Sequence, residues 1–166
     1  MKEHVLGTGG QIVLRKATLS DLPEIQSLFV QTILVSCNKE YNGQQLDAWA
    51  SSVNNLSAWQ DKINTQIFLI AQSQEKIVGF GSLDKKNHLD MMYVNPDYQR
   101  LGIASSLMRE LETEAKKTGE ESLFSHASKT ALPFFKRMGF QLIEEQHNIR
   151  DRIEILNYKM KKELKY

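Results

Sequence analysis

The 166-residue sequence predicts an α+β fold: a mixed, mostly antiparallel central sheet of about seven strands, flanked by about four helices. Three apolar segments, at 67–72, 76–83 and 88–94, follow one another through short polar turns, the pattern of an antiparallel meander. Segments with helical spacing precede this meander and follow it. The helices fall between groups of strands and do not alternate strictly with them, which favours a mixed α+β sheet.

Taken in order, Gly7 to Gly10 reads as a frayed tail or a turn, and residues 12–16 as the first strand. Asp21-Leu22-Pro23-Glu24 looks like a helix start, with Asp21 able to cap and Pro23 placed where an amide hydrogen is not needed. Leu22, Ile25, Leu28, Phe29 and Ile33 then keep helical spacing. Residues 44–64 read as a second helix, with Leu46, Trp49, Val53, Leu56 and Trp59 as its apolar members.

After the meander, Asn95-Pro96-Asp97 breaks the strand and a long helix begins near Leu101. Ile103, Leu107, Leu111 and Ala115 recur every fourth position and form one apolar stripe, and Gly119 supplies a stop. A strand at 122–126 follows, then a short helix at 131–138 capped by Thr130 and ended by Gly139. Strands at 142–147 and 153–159 close the chain.

No linker or internal repeat divides the sequence, so one domain over 1–166 is expected, with its core at about 11–163. Hydrophobic residues make up 41% and charged residues 25%, with a net charge of +1. That balance carries no electrostatic signature of a nucleic-acid or anionic-membrane binder. Cys37 is the lone cysteine, which rules out an intrachain disulfide and a cysteine-based zinc cluster and fits a cytoplasmic setting. No metal is expected, and a homodimer is left open.

The chemically informative stretch is Tyr93-Val94-Asn95-Pro96-Asp97-Tyr98-Gln99-Arg100-Leu101-Gly102-Ile103-Ala104-Ser105-Ser106-Leu107. A strand runs into a turn, and a helix opens with small residues. The first amides of a helix lack internal acceptors and, with the helix dipole, favour an anion such as a pyrophosphate. Small side chains let such a ligand approach the backbone. A turn and an amphipathic helix, with the small residues merely packing, would be the bland alternative.

Gln99-Arg100-Leu101-Gly102-Ile103-Ala104 resembles the Gln/Arg-x-x-Gly-x-Gly/Ala signature of the GNAT superfamily of acyl-CoA-dependent N-acetyltransferases. Ser128-Lys129-Thr130-Ala131-Leu132-Pro133-Phe134-Phe135-Lys136-Arg137-Met138-Gly139-Phe140 is similar to that family's second landmark, and the order of elements agrees across nearly the whole chain. The resemblance implies the GNAT fold, acetyl-CoA as co-substrate, and direct transfer of its acetyl group to a primary amine on a small molecule or a peptide. It implies cofactor contacts at Met92, Tyr93, Val94, Gln99, Arg100, Leu101, Gly102, Ile103, Ala104, Ser105, Ser128 and Phe135. The amides around Arg100 to Ser105 would hold the pyrophosphate, and the strand backbone at 92–94 would pair with the pantetheine arm.

An amine must lose a proton to attack at neutral pH, so a base is useful. The positions that match the family's base are His88 and Asp90, which lie two apart and so share a strand face. His88 could equally be a solvated strand end. Asp90 calls for a polar partner: His88, a substrate ammonium or a turn amide. Where many relatives carry the tyrosine that reprotonates the CoA thiolate, this chain has Phe135. Either the thiolate leaves unassisted or is protonated by water, or another group serves (Tyr93, Tyr98, His126 and Tyr158 are candidates), or the domain is a catalytically weak acyl-CoA sensor. His126 faces the acceptor pocket or is structural. Tyr41, Trp49 and Trp59 lie in the acceptor-side segment, and Cys37 reads as a small buried side chain. A nucleotide loop is discounted, because neither Gly-x-x-x-x-Gly-Lys-Ser/Thr nor Gly-x-Gly-x-x-Gly is present.

Overall fold

The structure, a computed structural model, describes residues 2–5 and 10–166. Its strands are β1 (Lys2–Val5), β2 (Gln11–Lys16), β3 (Ile67–Ser73), β4 (Lys76–Leu83), β5 (His88–Val94), β6 (Ser122–Ser128), β7 (Gln141–Arg150) and β8 (Ile153–Glu163). Its α-helices are α1 (Leu22–Ser36), α2 (Gly43–Ala50), α3 (Leu56–Thr65), α4 (Ile103–Lys117) and α5 (Leu132–Arg137). All the strands belong to one sheet in the order β1-β2-β3-β4-β5-β6-β8-β7. Every neighbouring pair is antiparallel except β5 and β6.

The expected α+β architecture is therefore present, with differences that have local causes. β1 adds a strand before the expected first one; most of the Gly7 to Gly10 stretch lies outside the described residues. The single helix expected over 44–64 is two. Asn42 and Gln45 cap each other's backbone amides at 2.9 Å to start α2, and Asn55 accepts from the Ala58 amide to start α3. Between them Ser51–Asn54 tightens into a 3₁₀ turn, pinned by the Trp59 indole donating to the Ser52 carbonyl at 3.0 Å. Asp21 does not cap α1. Its carboxylate takes two hydrogen bonds from Arg15, at 2.8 and 2.9 Å, and one from the Thr18 amide; those bonds, Arg15's first, hold its pKa at about 2.

The sheet carries a core on each face. α4 lays Ile103, Leu107, Leu111 and Ala115 on one face, with Leu14, Leu69, Val78 and Leu123 beneath. Each such buried aliphatic side chain contributes about 1.5–3 kcal/mol. Gly79 and Gly81 of β4 let α4 come this close, since a Cβ there would stand 3.0 Å from Ile103 Cγ2 and 3.1 Å from Leu111 Cδ1. On the other face, Ile25, Phe29 and Ile33 of α1 pack with Trp59, Phe68 and Phe80. The close seat of α4 fixes where its first turn meets the end of β5. Among the described residues no helix is long and apolar enough to cross a membrane.

Candidate active site

β5 and β6 are paired only at His88↔Phe124 and Leu89↔Ser125. The buried Ser125 hydroxyl then donates to the Leu89 carbonyl at 3.0 Å, satisfying the acceptor that could have carried the ladder further. Beyond that rung β5 runs on to Val94 and β6 to Ser128 without pairing with each other, while β5 stays paired with β4 as far as Gly79↔Val94. The two strands splay, and one edge of β5 is left open to an added extended chain. A cavity of about 480 Å³ fills the notch, walled by both strands, the end of α1, the start of α4, and α5.

At one end of the notch the main chain turns sharply into α4. Arg100 and Gly102 both have positive φ, 61° and 82°. For Gly102 that backbone is unstrained, and a Cβ there would meet nothing within 4 Å, so packing does not demand the glycine. The first helical bond runs from the Ser106 amide to the Gly102 carbonyl, which leaves the amides of Ile103, Ala104 and Ser105 ahead of it. Arg100 and Arg137 border the same cavity. Together these groups form a cradle with the chemistry to hold an anion, and its open space suits a phosphate-bearing ligand.

At the other end the wall is made of side chains. β5 bulges where Ser82 pairs with Met91 and Leu83 with Leu89, so Asp90 has no partner across the ladder. Its carboxylate instead takes hydrogen bonds from the Lys62 ammonium of α3 and, at 2.9 Å, from Gln66 just past the end of that helix. Burial pushes the Asp90 pKa up, but the Lys62 and Gln66 hydrogen bonds outweigh it and hold the group below its usual value. His126 of β6 is exposed and borders the cavity. The His88 ring meets it edge to face, with ring centres 4.6 Å apart, and His88 Nε2 is buried without a hydrogen-bond partner. Trp49 and Tyr93 complete this end; burial pushes the Tyr93 phenol well above its ordinary range.

The comparisons with known proteins bear on what this cavity is. Residues 37–162 match the acetyltransferase (GNAT) domain family. The chain belongs to the GNAT family. It is 32% identical over 135 residues to the uncharacterized N-acetyltransferase YafP of Escherichia coli strain K12, covering 81% of this chain and 85% of that protein. A crystal structure of a GCN5-related N-acetyltransferase from Rhodopseudomonas palustris superposes with a TM-score of 0.89 at 29% identity, over 99% of each chain. PaiA N-acetyltransferase from Thermoplasma acidophilum, solved in complex with coenzyme A, shares the fold: TM-score 0.79 at 19% identity, over 92% of this chain and 99% of that one.

The chain is thus a GNAT acyltransferase, and most residues singled out by its sequence border one cavity. Asp90, Met92, Tyr93, Val94, Gln99, Arg100, Gly102, Ile103, Ala104, Ser105, Ser128 and Phe135 line it. Leu101 and His88 do not: Leu101 sits between the two left-handed residues, and His88 stands behind His126. The Gln99 side chain is committed to Ser36 Oγ at 2.8 Å and the Val94 carbonyl at 3.3 Å, so it fastens the turn to α1. Ser128, not Thr130, supports the start of α5, accepting from the Ala131 amide at 3.1 Å. Phe135 is buried edge to face against Phe134 and Phe140. Cys37 is buried on the cavity wall, where burial pushes its thiol up. Ser36, Ser125 and Arg137 carry no signal in the sequence; each is an ordinary polar residue whose position depends on strands and helices distant along the chain.

Proposed function

We propose that the protein transfers the acetyl group of acetyl-CoA to a primary amine by direct attack in a ternary complex. The observation that carries this reading is the junction of the open β5 edge with the free amides around Gly102. An extended thiol-bearing arm can add to that edge while its pyrophosphate rests on the helix start. The coenzyme A held by the structurally similar PaiA enzyme supports the choice of donor.

In this reading the amides of Ile103, Ala104 and Ser105 hold phosphate oxygens, with Arg100 adding positive charge nearby. Met92, Tyr93 and Val94 present main chain to the pantetheine, and Ser128 and Phe135 close the opposite wall. The thioester carbonyl then lies at the apex of the notch, where a main-chain amide stabilises the negative charge developing on its oxygen. Asp90, expected as a base together with His88, holds its proton too weakly for that task at neutral pH and serves to attract and orient the acceptor's ammonium group. The acceptor enters past Trp49 and Tyr93 and is a small-molecule or peptide amine.

A second reading, an acyl-CoA sensor without turnover, draws on Phe135, which offers no proton to the departing sulfur. Calorimetric titration with coenzyme A, followed by thiol release from acetyl-CoA with a panel of amines, separates the two. Binding with turnover is expected; binding without turnover on every acceptor would favour the sensor. Tight ATP binding with none of coenzyme A would defeat both.

A further inference from the structure

The strand register beyond the last paired rung places one more group at the apex. With His88 opposite Phe124 and Leu89 opposite Ser125, the next position brings Asp90 of β5 opposite His126 of β6, at the mouth where the strands part. Leu123 and Ala127 point into the core beneath α4, so strand alternation sends His126 to the other face. That is the face on which Asp90 meets α3. His88, two residues before Asp90, braces the His126 ring from behind. The base sought on β5 thus has a counterpart on β6 that touches the cavity, whereas His88 itself does not line it.

We propose that His126 is the proton carrier of the reaction: its imidazole takes the proton shed by the acceptor nitrogen and returns it to the departing sulfur. This rests on the transferase reading above. The acceptor's ammonium first releases one proton to solvent, and the neutral nitrogen then adds to the thioester carbonyl. As that adduct collapses, the carbon–sulfur bond breaks while the second proton passes from nitrogen through the imidazole to sulfur. Free thiol and amide are the products, and no other reactant is needed. His126 also answers the question raised by Phe135, because no tyrosine is then required at that position.

The surroundings of His126 fit a neutral imidazole in the resting protein. Partial burial pushes its pKa below the usual 6.5, and His88 and Lys159 of β8 push it the same way; Asp90 and Glu144 of β7 oppose them. Lys62 stands behind Asp90 and offsets its charge. An imidazolium with a pKa below 6.5 is a stronger acid than a thiol, whose pKa is about 8.5, so handing the proton to sulfur is downhill. The Tyr93 phenol, pushed far up by burial, is a poor donor by the same comparison.

The test begins without any acceptor. NMR titration of the imidazoles in the free protein should show His126 titrating below the ordinary histidine range, and His88→Leu should move it upward; a His126 that stays charged through the neutral range could not take up a proton there and would overturn the proposal. Thiol release is then measured with acetyl-CoA and, as acceptors, spermidine, lysine methyl ester and a short peptide with a free α-amine. His126→Ala should lower kcat by about 100-fold or more, a typical loss for a proton-transfer group. It should also abolish the acid limb of the pH profile, leave the Kd for coenzyme A unchanged within about twofold, and respond to added imidazole. An unchanged acid limb and rate in His126→Ala, with the wild-type protein turning over, would overturn the proposal and leave the transferase reading standing. Coenzyme A binding with no wild-type turnover would instead remove the transferase reading and the proposal with it.

Discussion

From Ile103 to Ser105 the cavity wall offers main-chain amides; across the notch, from Asp90 to His126, it offers side chains. The first wall is made by one continuous segment, whose left-handed residues Arg100 and Gly102 turn the chain into α4. The second is assembled from α2, α3, β5 and β6, with Lys62 and Gln66 reaching Asp90 from outside the strand that bears it. A wall of amides can bind the invariant phosphates of a cofactor with little dependence on side-chain identity. A wall of side chains sets charge and proton affinity, so in the proposed reaction it is the part that chooses an acceptor and manages its proton. The two should respond differently to substitution.

The largest effect on this contrast is expected at Gly102. Gly102→Val forces a branched residue to φ near 82°, at about 1–2 kcal/mol, and places a Cβ in the open space of the cradle. Losing one charge-assisted hydrogen bond to a phosphate, about 1.5–3 kcal/mol, weakens coenzyme A binding by about 10- to 100-fold. Calorimetry measures it, and unaltered affinity in the folded variant would mean the cradle is not the phosphate site. Asp90→Asn should act in the opposite sense: roughly a tenfold fall in kcat/KM for the amine, with coenzyme A affinity kept. Because the folded pKa of Asp90 is depressed, the stability it contributes is present above the unfolded value and is lost as pH falls through the folded one. Asp90→Asn should therefore flatten the acid side of the melting-temperature profile. The smallest effect is expected at Arg100, whose side chain is exposed. Arg100→Gln should weaken coenzyme A binding only about two- to fivefold, and less in high salt. A larger, salt-independent loss would make that wall side-chain-built after all.

The same contrast explains which parts of the site are legible in the sequence. The Gly102 cradle is readable because its chemistry is local: a turn, a left-handed glycine and a helix start are adjacent along the chain. Asp90 and His126 each stand out as residue types, but their opposition across the notch does not, since it depends on a parallel pairing between strands separated by α4. His88 is the more conspicuous histidine because its spacing from Asp90 along one strand is visible, whereas the strand that covers it is not. Residues 44–64 read as one helix because apolar spacing persists through 51–55; the Asn55 cap that divides it acts through a side-chain hydrogen bond that spacing does not register.

By itself the sequence determined the α+β class, the helix stripe of Ile103, Leu107, Leu111 and Ala115, and the turn that opens α4 at Gly102, because each follows from contacts within a few residues. Tertiary structure alone decided that Ser125 ends the β5–β6 ladder and that a bulge turns Asp90 toward Lys62. It also decided that His126, not His88, borders the cavity. Those outcomes depend on which strands become neighbours and where their pairing stops, and that is set by how α4 and the first three helices pack on opposite faces of the sheet.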